Sequence, residues 1–259
     1  MPKLTALPGV EDEARRLLQA SAERNVVLRL LGGVGIVLRC PSAREGRLRR
    51  NYVDMDFVGH EKQSKAIMEF FTAMEYQPRV RFNVLMGRKR LIFNDLVNRR
   101  RVDIFLDVFE MSHKLDFSKR LALEAMTLPL ADLLATKLQI YEINVKDFKD
   151  LTSILVDHDM GTDDGETING SYLAKLCAGD WGAYKTFTRN LTTLETMMEG
   201  FGLTPSQLNT ARKRVRRLAE MIEGEPKSLR WKMRARLGEK VRWYELPESD
   251  KSVVVNSFD

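Results

Sequence analysis

Apolar positions in residues 11–24 recur at three- and four-residue intervals, as Ala14, Leu17, Leu18 and Ala22. That spacing predicts an amphipathic helix, and the acids in its first turn suit the positive end of the helix dipole. A continuous apolar run at residues 26–31 predicts a strand. Gly32-Gly33 interrupt it, and residues 34–39 begin a second helix that Pro41 ends. Residues 42–51 are a loop rich in arginine (Arg44, Arg47, Arg49, Arg50), and residues 52–58 alternate as a strand. Residues 61–74 gather Ile67, Phe70, Phe71 and Met74 on one helical face.

Three extended segments are expected next, at residues 79–85, 91–95 and 101–108, with Met86-Gly87-Arg88 as the first turn. After Pro129 the periodicity is helical only: residues 130–143, 146–155, 172–177, 181–198, 205–223 and 229–243, with an acidic, glycine-rich loop at 157–170. The tail from Pro247 carries no pattern. The expected fold class is α+β: a mixed sheet with flanking helices in residues 1–125, then a helical C-terminal domain in residues 126–259.

A chain of 259 residues can bury a substantial core. No apolar run reaches membrane-spanning length, so no membrane partner is expected. Acids at Glu11, Asp12 and Glu13 precede any signal-like apolar stretch, and Cys40 and Cys177 match neither a disulfide framework nor a zinc spacing. A reducing cytoplasm is the expected location. Charge alters the picture more. Residues 205–245 hold 12 Lys and Arg against 5 Asp and Glu, leaving 30 against 31 elsewhere. This basic stretch suits a polyanion such as RNA, and equally a solvated helical face.

The candidate chemistry lies in the front half. In a strand, alternate side chains share a face, so Asp54 and Asp56 project together while Val53, Met55 and Phe57 turn the other way. Paired carboxylates repel, and a hard divalent cation relieves them. Gly32-Gly33 permit close approach of a phosphate to the backbone. Asp103 and Asp107 lie on another apolar strand, on one face with Phe105 between them.

Together these features resemble the nucleotidyltransferase superfamily built like DNA polymerase β, whose signature is a Gly-Gly or Gly-Ser turn, Asp-x-Asp on the next strand and a third acid on a later one. Here these are Gly32-Gly33, Asp54 and Asp56, and Asp103. The run Pro129-Leu-Ala-Asp132-Leu-Leu-Ala-Thr-Lys137-Leu-Gln, then Lys146-Asp147-Phe-Lys-Asp150-Leu, resembles the AbiEii-type branch, which includes toxins of abortive-infection systems. The likeness covers residues 26–155. In two respects the chain departs from the pattern. The interval from Gly33 to Asp54 is long, and Val34 stands where many relatives have a polar residue, so backbone amides would have to meet the phosphate.

The resemblance implies an NTP as substrate and Mg²⁺ or Mn²⁺ as cofactor, held by Asp54, Asp56 and Asp103. It casts Asp103 as general base, with Asp107 as the alternative. Lys137 would reach the triphosphate, and Gly32, Gly33, Arg39 and Asp147 would bind the nucleotide, with Lys146 and Asp150 extending the site. Arg49 and Arg50, like Arg39, flank the glycine turn and would contact phosphates by charge-assisted hydrogen bonds. Each has a plainer reading: a salt bridge from Asp103 to Arg101 or to the arginine loop, a surface position for Lys137, an i, i+4 pair between Lys146 and Asp150, and solvated loop charges for Arg39, Arg49 and Arg50. His60, His113 and His158 share no metal spacing and read as structural. Asp157-x-Asp159 fits a solvent loop better than a calcium loop. Trp231 and Trp243 among arginines suit base stacking or internal packing. The expected acceptor is an RNA hydroxyl, tRNA included; a small molecule or protein stays open, as do a binding module without transfer activity and a toxin with an antitoxin partner.

Overall fold

The first amphipathic stretch forms α1 (Val10–Glu23), burying Ala14, Leu17 and Leu18 behind an acidic first turn. The computed structural model describes residues 5–246; the expectations for residues 1–4 and for the tail from Pro247 lie outside them. Next come β1 (Leu28–Leu31), α2 (Gly32–Arg39), β2 (Met55–Gly59), α3 (Ser64–Ala73), β3 (Gln77–Pro78), α4 (Val80–Met86), β4 (Arg90–Asp95) and β5 (Arg100–Leu106). The five strands form one mixed sheet in the order β1-β2-β5-β4-β3. Only β2 and β5 run parallel; the other neighbours are antiparallel.

The sheet is buried on both faces because its strands carry apolar residues at both parities. Met55, Phe57, Val102 and Ile104 pack with α1 and with Ile67, Phe70 and Phe71 of α3. Val58 and Phe105 turn to the opposite face and join a larger cluster with the helices that follow.

Beyond the sheet lie a hairpin of β6 (Val108–Glu110) and β7 (Lys114–Asp116), then α5 (Leu130–Leu138), α6 (Val145–Asp157), β8 (Met160–Gly161), β9 (Ile168–Asn169), α7 (Gly170–Gly179), α8 (Trp181–Met197), α9 (Pro205–Gly224) and α10 (Leu229–Leu237). The fold is α+β with a helical C-terminal region. Its larger core crosses residue 125, joining Ile36 and Val37 of α2 to Leu133, Leu151, Phe187 and Leu218. No helix among the described residues is long and apolar enough to cross a membrane.

Three expectations are corrected. Residues 79–85 are not a strand: α4 occupies them, with Val80, Val84 and Leu85 exposed. Asn83 explains the difference. Its buried side chain donates to the Ile92 carbonyl (3.0 Å) and accepts from the Ile92 amide (2.8 Å), occupying the edge of β4 that another strand would need. The helix expected through residue 143 stops at Leu138, and Asn144 starts α6 with a capping box to Asp147. The region after Pro129 also holds one strand pair, β8 with β9.

Candidate active site

The junction of β1 and α2 is built from two glycines with other side chains packed against them. Gly32 has φ +64°, in the left-handed region, and a side chain there would overlap the Asp56 carboxylate. A side chain on Gly33 would overlap the Arg50 guanidinium and the Tyr52 ring. Leu31 is the N-cap of α2 and offers no side-chain acceptor, so the first amides of the helix have no cap.

Asp56 stands beside this turn. It pairs across the sheet with Leu31 on one side and, in the parallel ladder, with Asp103 on the other. By strand alternation Asp56 and Asp103 share the face of Val58 and Phe105, toward the helical half. Asp54 lies just before β2 and accepts from the Arg101 amide (3.1 Å). Asp56 accepts no hydrogen bond from the described residues. Burial first, then the charge of Asp103, pushes its carboxyl up to about 6; Lys137 opposes the rise, and Asp54 adds to it.

Asp103 is differently placed. Arg90 reaches its Oδ1 with Nε and Nη2, each at 2.9 Å, and Arg101 Nε lies 2.9 Å from Oδ2. The salt bridge to Arg101 foreseen as the plainer reading is therefore present, and Arg90 joins it. No three His, Cys, Asp or Glu side chains among the described residues are grouped to hold a metal ion. The donor chemistry that fits Mg²⁺ is the pair Asp54 and Asp56: hard carboxylate oxygens, with Asp56 accepting no hydrogen bond from the described residues and raised in pKa by burial first and by Asp103 next.

A second charged group adjoins the first. Lys137 Nζ lies 2.7 Å from Asp147 Oδ1 and 3.1 Å from Asp150 Oδ2. Burial disfavours its charge, but the two aspartates outweigh that and raise its pKa. Arg50 binds Asp150 through both oxygens, Nε to Oδ1 at 2.9 Å and Nη2 to Oδ2 at 2.6 Å. Asp150 thus pairs with Arg50 and Lys137, not with Lys146, which is exposed.

Not every predicted residue joins this group. Arg39 ends α2, about 10 Å along the helix axis from Gly32, and pairs with Glu124 and Glu166. Asp107 does not share a face with Asp103: its φ of +57° turns it out of β5, and its carboxylate accepts from the Glu61 amide and meets His60. Arg49 is exposed. His113 bonds Thr186 and His158 the Arg39 carbonyl. Asp157 accepts from Ser42, while Asp159 pairs with Arg214. Trp231 donates to the Cys177 carbonyl, and Trp243 packs edge-on to Trp181 and Tyr141.

Within the basic stretch, α9 and α10 differ. Arg212, Arg214 and Arg216 of α9 pair with Glu199, Asp159 and Glu195. Arg230, Lys232 and Arg236 of α10 are exposed and make no ion pair with the described residues. One residue at the acids, Arg90, escaped the sequence reading, whereas Arg101 was legible as the i−2 neighbour of Asp103 on one strand. Arg90 requires the β4–β5 pairing, which sets it opposite Phe105 and so beside Asp103. Compared with known proteins, the chain matches no protein-family model, and no curated protein is significantly similar to it.

Proposed function

We propose that the chain is a Mg²⁺- or Mn²⁺-dependent nucleotidyltransferase that moves a nucleoside monophosphate from an NTP to an acceptor hydroxyl. The observation that carries this reading is Asp56, a carboxylate without a hydrogen-bond donor among the described residues, beside Asp103 in the ladder and against a two-glycine turn. Asp54 and Asp56 would hold the cation, whose positive charge would offset the negative charge of the phosphates. Asp103 would accept the proton of the acceptor hydroxyl, since its Oδ2 keeps a lone pair beyond the contact with Arg101. The acceptor oxygen forms a bond to the α-phosphorus, the bond to the bridging oxygen breaks, and pyrophosphate leaves. Arg90 and Arg101, fixed by Asp103, supply positive charge beside the phosphates.

RNA, tRNA included, is the acceptor favoured by the exposed cations of α10. Two buried free cysteines suit a reducing cytoplasm. The test is incubation with each labelled NTP, Mg²⁺ or Mn²⁺, and total RNA or cell extract. Label transfer by the wild type, lost in Asp56→Asn, is the expected result. Transfer equal in both, or absent from both under every condition, removes the enzymatic reading.

A second reading is a nucleotide- or RNA-binding module of the same fold without transfer activity, and the double engagement of Asp103 by Arg90 and Arg101 favours it. It predicts Mg²⁺-dependent NTP binding, abolished by Asp54→Ala, with no label transfer. A growth-arresting toxin would be the enzyme with a cellular RNA or protein as acceptor, and an antitoxin would be sought among the products of neighbouring genes.

A further inference from the structure

The long connection between α2 and β2 returns to the glycine turn and brings an arginine with it. Arg50 is fixed there on two sides. One edge of its guanidinium is bound to Asp150, whose side chain is 1% exposed, and its plane lies over the Tyr52 ring, 4.2 Å from the centroid. Guanidinium has five N–H groups. Asp150 takes one from Nε and one from Nη2, and no other described residue accepts from the remaining three. Nη2 stands over Gly33, so the guanidinium lies beside the first turn of α2, where the backbone amides have no side-chain cap.

Two sets of unmatched donors therefore meet at one place. An isolated anion there would also meet Asp56, which lies against Gly32 and repels it. A polyphosphate carrying a divalent cation satisfies both sides: oxygens toward Arg50 and the helix amides, the cation toward Asp56.

We propose that Arg50 is the triphosphate-binding residue of the site, held ready by Asp150, and that Lys137 is a positioning residue. Arg50 is the group that answers for Val34, which has no polar atom to offer a phosphate. Lys137 stays between Asp147 and Asp150 and holds the Asp150 carboxylate in place beside Arg50. The fork is ordered before the ligand arrives, so binding loses little side-chain entropy. This assignment rests on the nucleotidyltransferase reading and adds to it a particular source of phosphate affinity.

The test is calorimetric binding of each NTP, then of the matching di- and monophosphate and nucleoside, with Mg²⁺ present. Wild type, Arg50→Ala, Arg50→Lys and Arg50→Ala/Asp150→Asn are compared; the double variant leaves no new unpaired carboxylate in the interior. In the wild type, affinity should rise with each phosphate. In both alanine variants that rise flattens and NTP affinity falls on the order of 10–100-fold, while nucleoside affinity is unchanged. Arg50→Lys restores a part, because an ammonium cannot bind Asp150 and a phosphate through one planar fork. NTP affinity undiminished in the alanine variants overturns the Arg50 assignment and leaves the nucleotidyltransferase reading standing. Equal loss for nucleoside and NTP reduces Arg50 to packing and overturns the assignment too. A wild type that binds no NTP overturns both.

Discussion

Two aspartates of one sheet show what a carboxylate does with and without partners. Asp95 is buried and closes β4 opposite Arg100, the first residue of β5. Its Oδ1 accepts from the Val97 and Asn98 amides, and its Oδ2 from Asn98 Nδ2 and from Arg100 Nε and Nη2. Burial opposes its ionisation, but the bonds from Asn98 and Arg100 prevail and hold the carboxyl below its ordinary range. Arg100 also donates to the Leu7 carbonyl (2.6 Å), tying the segment before α1 to the hairpin. Asp56, half-buried between β1 and β5, has none of these donors, and its pKa rises to about 6. The matched acid fastens the chain. The unmatched one carries a penalty that a proton or a nearby positive charge relieves.

The largest expected effect follows from breaking the matched site. Asp95→Ala strands a guanidinium that is 4% exposed, and removal of one partner from a buried pair costs about 3–5 kcal/mol. Urea unfolding should show that loss as a lower midpoint with an unchanged slope. Label transfer per folded molecule should remain. A loss under about 1 kcal/mol, the worth of a surface pair, would break the comparison.

Asp56→Asn should act in the opposite direction. Between pH about 4 and about 6 the folded chain keeps a proton on Asp56 that the unfolded chain has released. Stability therefore falls as pH rises through that window, and the full penalty stands above it. The rise from the ordinary aspartate value to about 6 is worth about 3 kcal/mol. The variant should therefore be more stable than wild type by up to that amount at pH 8 and by little at pH 4. Asp132, buried and likewise raised to about 6 against the pull of Arg120, contributes the same slope to both proteins and cancels in the difference. Thermal unfolding across pH checks this. An Asp56→Asn protein less stable than wild type at pH 8 would show the carboxylate to be matched after all.

How much of this was legible follows from the range of each interaction. Period and turn chemistry are local, so α1, β1, the Gly32-Gly33 junction and the strand of Asp56 could be read directly, as could the change to helices after Pro129. Residues 79–85 misled because the deciding contact, Asn83 with Ile92, is a side-chain bond to another element. Asp107 misled because one left-handed residue ends the alternation. The partners of the acids were the least legible. Arg50 reaches Asp150 across 100 residues of chain, and Arg90 reaches Asp103 only through strand register. Neither interaction leaves a periodic trace.

The smallest effect bears on why Asp56 is unmatched. Burial is the leading cause of its raised pKa, Asp103 the next, and Asp54 a lesser one that acts in the same direction. Asp54→Asn removes one negative neighbour and leaves the burial of Asp56 intact. Its carboxyl, followed by ¹³C NMR titration, should move down only slightly and stay well above the ordinary aspartate value. Asp103→Asn should move it further, because the nearer charge goes and the positive field of Arg90 and Arg101 is left uncompensated. If Asp54→Asn gave the larger drop, the close pair would be Asp54 and Asp56, with Asp103 bound up in its arginines. If neither variant moved the titration, burial alone would hold Asp56 up, and the case for a cation at this turn would lose its electrostatic support.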